Sequence, residues 1–367
     1  MAKKNSKNGG IIGGIVGGLI MIVVGTGLLW WNEGNNVRNI KTTNEVEANV
    51  VDIVSDSDPS EYEGKLVSVS GKITVVDEDM TDPDFGGSVH TAALKRVVEI
   101  YQWEEDSDTD DDGDTTYSYK KVWSDRLIDS SDFARSSGHE NPASVLYQNA
   151  AAYAEQVTLG NYHLSDLQIQ NMDTDAVLNP TSAGLTAPEG FVISGSYVTN
   201  AADLSKPQIG DLRITWQYND WKEVSLIAQP VGTTFTSYVS QQGKRVNYIT
   251  GGIHTTAEMI TAMREQDKMM KWIFRGLGAF MIFIGYLSLI TPLTKLASFI
   301  PLLGGVINGL LILVEFLIAL VHSLLIIAVA WIRFRPVLGI CLLAACVGLG
   351  FLATLLMKKR KAALAAA

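Results

Sequence analysis

Apolar residues are concentrated at the two ends of this 367-residue chain, and the stretch between them alternates apolar and polar positions. Residues 11–31 carry no charge, and about 20 such residues suffice to cross roughly 30 Å of hydrocarbon. Three further apolar stretches lie near the C-terminus, at residues 272–290, 302–331 and 337–357. The pattern therefore predicts four membrane-spanning helices, one N-terminal and three C-terminal.

Charged, aromatic and proline positions set the boundaries of these spans. The first run also fits a signal peptide, but its length and its Trp30-Trp31 end favour a retained anchor at the membrane interface. Thr255 and Glu258 have capping-box spacing and predict the start of a helical lead-in to the second span. The predicted division is a basic tail at residues 1–10, a first span at 11–31, a non-membrane domain at 32–254, the lead-in and second span at 255–291, a short interfacial connection at 292–301, a third span at 302–331, a fourth at 337–357, and a basic tail at 358–367.

Glycines recur every four residues through the first span, at Gly10, Gly14 and Gly18. Small residues at this spacing let two helices approach closely in lipid, where packing replaces the hydrophobic effect. The repeat predicts a helix-packing surface, and leaves open whether the partner is another helix of this chain or a second copy.

Charge separates the membrane part from the rest of the chain. Between Glu33 and Met270 there are 17 Lys and Arg against 38 Asp and Glu, a net charge of −21, whereas the remainder carries +11. An acidic domain of this size repels nucleic acid, so we expect no such partner. Four spans put both termini on one side, and the basic residues at both ends predict that this side is the cytoplasm. The acidic domain is then extracytoplasmic: periplasmic or external in a bacterium, lumenal in a eukaryote.

The non-membrane domain is predicted to be a β-rich α+β fold. Alternation with period two from Lys65 onward indicates a strand, and residues 96–103 and 116–123 indicate two strands joined by an acidic loop. Asn141-Pro142 fits the N-cap and first turn of a helical insert near residues 141–157.

Two parts of this domain look alike. "VSVSGKITV … LKRVVEIYQW" and "FVISGSYVT … GDLRITWQY" share a strand with Ser-Gly, then a gap, then Leu, a basic residue and an aromatic-rich strand. We interpret the likeness as an internal duplication, with chance similarity between β-sequences as the alternative.

Several blocks along the chain resemble one known family. They run in order as "NEG" (32–34), "GKLVSVSGKI" (64–73), "RVVEIYQWEE" (96–105), "YKKVWSDRLIDSSDF" (119–133), "GHENP" (138–142), "PQIGDLRITW" (207–216) and "RFRP" (333–336). On these blocks, and on the arrangement of one plus three spans, the chain resembles the LUMA family, also called transmembrane protein 43.

The resemblance implies a protein of the endoplasmic reticulum and inner nuclear membrane in animals, associated with lamins and emerin, and a role in membrane-domain organisation in bacteria. It implies no catalytic residues. The acidic loop and the glycine-rich first span are not expected of every member, and we expect a bacterial member, in the inner membrane.

The acidic loop carries one candidate metal site. Asp108, Asp110, Asp112 and Asp114 follow the first half of an EF-hand calcium loop, with Gly113 at the turn, but Tyr119 stands where that loop needs a bidentate glutamate. The alternative, which we favour, is a solvated hairpin loop. We therefore expect no cofactor beyond weak calcium binding.

Polar residues in the third span are the other candidates. Asn308, Glu315 and His322 recur every seven residues and so share one helix face. An ionisable residue inside a membrane marks either a proton or cation route or a hydrogen bond to a neighbouring helix, and we favour the second. His139 and Glu140 could transfer a proton, although such a block more often fixes a turn.

These features favour a multi-pass scaffold over an enzyme. We expect a homo-oligomer that contacts the lipid bilayer and organises other membrane or envelope proteins through its extracytoplasmic domain. The alternatives are a subunit of an oligomeric cation channel or transporter built on Glu315, and an envelope enzyme of unknown activity.

Overall fold

Three long helices carry the apolar ends of the chain in the computed structural model, which describes residues 3–109, 115–297 and 304–341. Each contains a candidate membrane span, at Gly13–Asn49, Thr256–Ile290 and Leu311–Phe334. Three predicted spans are thus confirmed as helices. The structure describes the fourth predicted span, at 337–357, only as far as Cys341. The chain is helical from Pro336 to Cys341, and the rest of the span lies outside the described residues. The helices are α1 (Lys3–Asn49), α2 (Asp166–Gln170, outside the spans), α3 (Thr256–Ala297) and α4 (Gly304–Phe334).

The long helices extend past the predicted boundaries. α1 continues without a break through residues 32–49, which the sequence assigned to the β-rich domain. α3 runs through Pro292, so the connection predicted at 292–301 begins as helix. Polar contacts between the two helices explain the extension of α1: Asn39 Nδ2 donates to Asp267 Oδ1 at 2.6 Å.

The chain between α1 and α3 folds as a β-rich unit, which comprises Glu45–Thr261 with the helix ends that flank it. Its described strands are β1 (Val51–Val54), β2 (Val67–Val75), β3 (Met80–Asp82), β4 (Gly86–Val89), β5 (Ala93–Thr109), β6 (Thr115–Ser124), β7 (Ala150–Tyr153), β8 (Val157–Leu159), β9 (Tyr162–His163), β10 (Ala176–Val177), β11 (Val192–Ser194), β12 (Tyr197–Thr199), β13 (Leu212–Tyr218), β14 (Glu223–Val231), β15 (Thr234–Thr236), β16 (Tyr238–Val239), β17 (Arg245–Val246) and β18 (Tyr248–Gly251).

Two seven-stranded sheets dominate this unit. The first has the order β1-β2-β8-β9-β15-β14-β18, and a further pairing of β2 with β14 closes part of it on itself. The second has the order β11-β12-β13-β5-β6, with β10 beside β13 and β7 beside β5. The predicted strands at 96–103 and 116–123 are confirmed as the β5–β6 hairpin, whose ladder runs from Ile100 opposite Ser124 to Thr109 opposite Thr115.

Each sheet buries its own hydrophobic core. Tyr162 stacks on Phe235 in the first, with ring centroids 5.0 Å apart. Trp216 is fully buried in the second, where its ring meets Phe85 edge-on at 5.0 Å. In β13, alternate residues face this second core, which is the period-two pattern of a half-buried strand.

The prediction of a helix near residues 141–157 is wrong. Residues 141–149 have no regular structure, and β7 and β8 occupy most of the remainder. Asn141, expected as an N-cap, instead pairs with the backbone of Trp103: its Oδ1 accepts from the Trp103 N–H at 2.7 Å and its Nδ2 donates to the Trp103 carbonyl at 2.8 Å. The alanine-rich segment at 150–153 pairs with β5, and this tertiary pairing overrides its local helix propensity.

The two segments that suggested a duplication differ in conformation. "VSVSGKITV" is the single continuous strand β2, whereas "FVISGSYVT" is the β11–β12 hairpin, which turns at Gly195 with φ of +62°. The aromatic-rich strands β5 and β13 are antiparallel neighbours in one sheet. The two segments are therefore similar in sequence but differ in structure at Ser-Gly, where one continues as a strand and the other turns.

Candidate functional site in the membrane helices

A charged cluster joins α1, α3 and α4 close to the aromatic side chains of Trp30, Trp31 and Phe334. The Glu33 carboxylate of α1 is fully buried. Arg275 of α3 donates from Nε to Glu33 Oε1 at 2.6 Å, and Trp331 of α4 donates from Nε1 to Oε2 at 2.8 Å. The Arg275 guanidinium also lies over the ring of Trp272, 4.8 Å from its centroid. Both carboxylate oxygens are thus satisfied, as a buried charge requires.

Aromatic rings surround this cluster at the level where the spans end. Trp30 contacts Phe334 at 5.4 Å and Trp31 contacts Phe274 at 5.6 Å between ring centroids. Trp30 and Trp31 remain 38% and 46% exposed, as expected for side chains at a membrane–water interface. Their exposure and clustering are consistent with the interfacial anchor expected for Trp30-Trp31, and the position of the membrane edge stays a prediction.

His322 of α4 lies between the other two long helices. Its Nε2 is 3.2 Å from Thr26 Oγ1 of α1, and its Nδ1 is 3.0 Å from Tyr286 Oη of α3. Both ring nitrogens therefore have hydroxyl partners on different helices. Inter-helix hydrogen bonds of this kind are worth about 0.6 kcal/mol each in membranes, so His322 fixes the register of three helices more than it adds stability.

Glu315 lies two turns before His322 on the same face of α4. Its side chain is 1% exposed, and neither carboxylate oxygen has a hydrogen-bond partner within the described residues. A buried carboxyl group without a partner requires a proton or a cation to offset its charge. Asn308 is a residue of α4, but the structure describes only its backbone and not its side chain.

Only part of the predicted glycine surface is used within the chain. A Cβ added at Gly18 would lie 2.7 Å from the Gly285 carbonyl oxygen, and one added at Gly25 would lie 2.8 Å from the Gly278 carbonyl oxygen, so these glycines bring α1 and α3 into backbone contact. Gly14 has no described atom within 4 Å of such a Cβ. The surroundings of Gly10 lie outside the described residues.

The candidate calcium loop lies at the tip of the β5–β6 hairpin. Asp108 is exposed in β5 opposite Thr116, and the loop itself, with Asp110, Asp112 and Asp114, lies outside the described residues. Tyr119 pairs with Glu105 across the hairpin and donates its hydroxyl to Glu105 Oε2 at 2.6 Å. Among the described side chains, no group of three or more His, Cys, Asp or Glu is positioned to hold a metal ion. Weak calcium binding stays a prediction.

The Gly-His-Glu-Asn-Pro block fixes a turn against this hairpin. The His139 ring stacks on Tyr119 with centroids 3.8 Å apart and meets Trp103 edge-on at 4.7 Å. Glu140 Oε1 accepts from the Gly138 N–H at 3.0 Å, and this hydrogen bond lowers the pKa of Glu140. The His139 ring packs on the β5–β6 hairpin and Glu140 hydrogen-bonds within its own turn, so the geometry favours the structural interpretation of the block over proton transfer.

Sequence reasoning missed most of the partners that complete these clusters. Arg275 is a charge inside the second predicted span, which is itself a signal of function, but nothing in the sequence pairs it with Glu33, 242 residues away. Thr26 and Tyr286 gave no signal, because isolated hydroxyl residues are common in membrane helices.

Similarity to known proteins covers both the helices and the β-rich unit. The family described as Transmembrane protein 43 matches residues 100–336. The chain is 29% identical over 353 residues to Transmembrane protein 43 homolog of Drosophila melanogaster, covering 89% of this chain and 90% of the relative. It is 27% identical to Transmembrane protein 43 of Rattus norvegicus and of Homo sapiens, covering 88% of this chain and 85% of each relative. No solved structure matches the chain. These relatives are animal proteins, and the bacterial source expected from the sequence stays a prediction.

Proposed function

Since this chain belongs to the Transmembrane protein 43 family of multi-pass membrane proteins, we propose that it is an oligomeric membrane scaffold. Copies associate through the N-terminal span, and the β-rich unit recruits other membrane or envelope proteins. The observation that carries the proposal is the division of the α1 glycines into a set used within the chain and a set that is not.

Within the described residues the unused set is Gly13, Gly14, Gly17 and Gly27, each with no described atom within 4 Å of an added Cβ. The first three are close together in sequence, and their spacing gives a smooth face about 100° wide on a helix of 3.6 residues per turn. The used glycines Gly18 and Gly25 lie beside this face and already demonstrate backbone contact between helices of this chain. A second copy of α1 on the Gly13 face gives these glycines the same role, since glycine otherwise weakens a helix by about 1 kcal/mol.

The β-rich unit supports partner binding with an aromatic surface on its second sheet. Arg213 pairs with Glu99 through two hydrogen bonds of 2.6 and 2.7 Å and lies over the Trp123 ring, 4.6 Å from its centroid. Tyr101 contacts the same tryptophan at 5.3 Å. All four residues are partly exposed. Rigid Trp, Tyr and Arg side chains of this kind dominate the energetics of protein–protein interfaces.

The proposal includes an orientation. Both basic ends lie in the cytoplasm, and the acidic domain lies on the opposite side: periplasmic or external for a bacterial chain, lumenal for a eukaryotic one. Thr81 is exposed in β3, so a Thr81→Cys variant in a cysteine-free background reports the side directly. A membrane-impermeant maleimide is expected to label intact cells or sealed lumen-out vesicles, and labelling restricted to the cytosolic side contradicts the orientation.

Oligomerisation is tested by comparing Gly14→Leu with Val23→Leu. Both add bulk to α1, but Val23 is 69% exposed on the opposite face of the helix. After lysine-reactive crosslinking in native membranes, wild type and Val23→Leu are expected to give oligomer bands that Gly14→Leu reduces several-fold. Monomers in all three proteins, or equal oligomers in all three, refute association through this face.

A second candidate function is a cation or proton route, and one observation favours it: the Glu315 carboxyl group is buried in the bundle without a hydrogen-bond partner in the described structure. With three described spans per copy, a pore needs several copies, so this candidate also requires an oligomer. Purified wild type and Glu315→Gln reconstituted into liposomes distinguish the two functions. Ion flux that Glu315→Gln abolishes supports the route, and equal flux in both ends it.

A further inference from the structure

Three polar residues lie one helical turn beyond the charged cluster, on the side away from the apolar parts of α1, α3 and α4: Asn36, Lys271 and Arg335. They are three or four residues from the cluster members Glu33, Arg275 and Trp331, respectively. Residues three and four apart lie on one face of a helix, so each side chain lies over a member of the cluster. The helical turn of α4 reaches Arg335, whose N–H donates to the Trp331 carbonyl at 2.7 Å. Together the three residues form a polar layer above the cluster.

Two hydrogen-bond donors in the polar layer lack acceptors. Asn36 is 5% exposed, and its Nδ2 has no hydrogen-bond partner within the described residues. The Nη2 of Arg335 is buried and is likewise unpaired there. Nearly all buried polar groups in proteins have a partner, so a donor that lacks one indicates a missing acceptor. Here two such donors come from different helices, and the described chain supplies an acceptor to neither.

Charge in the polar layer is unbalanced in the same direction. Arg275 and Arg335 both repel the Lys271 ammonium, and Glu33 is the one carboxylate within the described residues that attracts it. Both oxygens of Glu33 already accept hydrogen bonds, one from Arg275 and one from Trp331. Three cations therefore share one buried carboxylate, and this end of the bundle has two positive charges in excess.

Acidic residues are scarce on these helices. From Lys268 to the C-terminus, the one acidic residue is Glu315. It precedes Arg335 by 20 residues, which is about 30 Å along a helix. Asp267, one turn before Lys271, accepts a hydrogen bond from Asn39 at 2.6 Å. The missing acceptor and the missing negative charge both indicate an anion from outside the chain.

An aromatic ring beside the polar layer indicates the source of that anion. Lys271 Nζ lies 5.6 Å from the centroid of the Trp272 ring, and the Arg275 guanidinium lies over the same ring. Tryptophan is enriched at the level of lipid headgroups, where its ring meets hydrocarbon and its N–H meets water. The anion that every phospholipid bilayer carries at that level is the headgroup phosphate. Basic pockets between membrane helices bind such headgroups.

We propose that the polar layer binds the phosphate group of a phospholipid headgroup. Lys271 and Arg335 are both partly exposed, and they donate to the phosphate oxygens. Asn36 completes the donor set from α1. The phosphate brings the acceptors that the layer lacks, and its negative charge offsets the repulsion between Lys271 and Arg335. A bound phospholipid thereby links α3 to α4 at this end of the bundle.

Native mass spectrometry of the full-length protein in a neutral detergent measures the Kd of this site. The probe is dioctanoyl phosphatidylglycerol, titrated against wild type and against a variant that combines Lys271→Gln with Arg335→Gln. The matched control combines Lys268→Gln with Arg333→Gln, which removes two exposed basic side chains from the same two helices. Two further probes identify the source of the anion. Dioctanoylglycerol has the same acyl chains without a phosphate, and inorganic phosphate has no acyl chains.

The test variant loses two charge-assisted hydrogen bonds, so its Kd for phosphatidylglycerol is expected to rise by about ten-fold or more. The control variant is expected to stay within about two-fold of wild type, because exposed charges contribute little. An equal Kd in wild type and the test variant, or an equal loss in both variants, overturns the proposal. Dioctanoylglycerol that binds wild type as tightly as phosphatidylglycerol also overturns it, because the phosphate is then not recognised. Inorganic phosphate that binds as tightly shows a site for the free anion and overturns the assignment to a lipid.

The single variants Lys271→Gln and Arg335→Gln guard against a folding defect in the double variant. Each loses one charge-assisted hydrogen bond and is expected to raise the Kd for phosphatidylglycerol by about three-fold or more. Thermal unfolding without added lipid shows which of the variants are folded. If both single variants bind phosphatidylglycerol as tightly as wild type, the proposal is refuted whatever the stability of the double variant.

Discussion

Replacement of Arg275 by methionine removes the positive charge that faces Glu33. The carboxylate is fully buried and retains one hydrogen bond, from Trp331. Loss of a charge-assisted hydrogen bond costs about 1.5–3 kcal/mol, and removal of one partner of a buried ion pair costs about 3–5 kcal/mol because the other charge is left uncompensated. The Arg275 side chain is 13% exposed against 1% for Glu33, so water screens the pair little and the upper range applies. We therefore expect Arg275→Met to destabilise the protein by about 3–5 kcal/mol.

Reversible unfolding in mixed micelles, followed by tryptophan fluorescence, measures this cost. The matched control is Arg333→Met, which removes an exposed arginine from the end of α4 and is expected to cost less than about 0.5 kcal/mol. Glu33→Gln combined with Arg275→Met is expected to recover at least half of the loss, since no buried charge remains. If Arg275→Met costs no more than Arg333→Met, or if the double variant is less stable than Arg275→Met, the cluster does not act as a buried ion pair.

Three further predictions concern the β-rich unit. Asp82 is buried and accepts hydrogen bonds from Arg96 at 2.7 Å and from the Trp216 indole at 2.8 Å. Arg96 keeps its ion pair with Asp84 at 2.7 Å when Asp82 is removed, so Asp82→Ala is expected to destabilise this unit by about 1.5–3 kcal/mol in chemical denaturation, and a loss below about 1 kcal/mol contradicts the assigned contacts. Asn141→Ala leaves two backbone groups of β5 without their side-chain partner and is expected to cost about 1–3 kcal/mol, with faster amide exchange in β5; unchanged exchange refutes the role. Side-chain and backbone hydrogen bonds from Ser131 lower the pKa of Asp129 below its ordinary value of 3.8, so the stability that they add is present above that value and is lost as the pH falls through the lowered pKa. Carboxyl NMR is expected to show Asp129 titrating closer to 3.8 in Ser131→Ala, and an unchanged titration contradicts the assignment.

The membrane helices could be predicted from sequence because bilayer thickness and the cost of buried charge impose a length and a composition on them. The end of α1 could not, because residues 32–49 are polar and gain their helical structure from contacts such as that between Asn39 and Asp267, which are distant in sequence. The helix expected near 141–157 failed for the same kind of reason. Its alanines favour helix locally, but they pair with β5, and the local pattern does not contain that partner.

The candidate site could likewise be predicted from the sequence only in part. Glu315 and His322 stand out as polar residues in an apolar run, so their helix face followed from spacing alone. Their partners did not, because the direction in which a face points depends on the packing of three helices. The glycine repeat shows the limit clearly. Its spacing predicted close helix packing, yet Gly18 contacts α3 while Gly14 has nothing beside it in the described structure, and no single-helix pattern separates the two.

The mass of the intact particle tests the claim of an oligomeric scaffold most directly. Full-length protein is extracted into a mild detergent or a native nanodisc, and the protein mass of the particle is measured by native mass spectrometry at several dilutions. We expect an integral multiple of 39.9 kDa, two copies or more, that falls to a single copy in Gly14→Leu and persists in Val23→Leu. A single copy of 39.9 kDa for wild type in native nanodiscs at every dilution contradicts it.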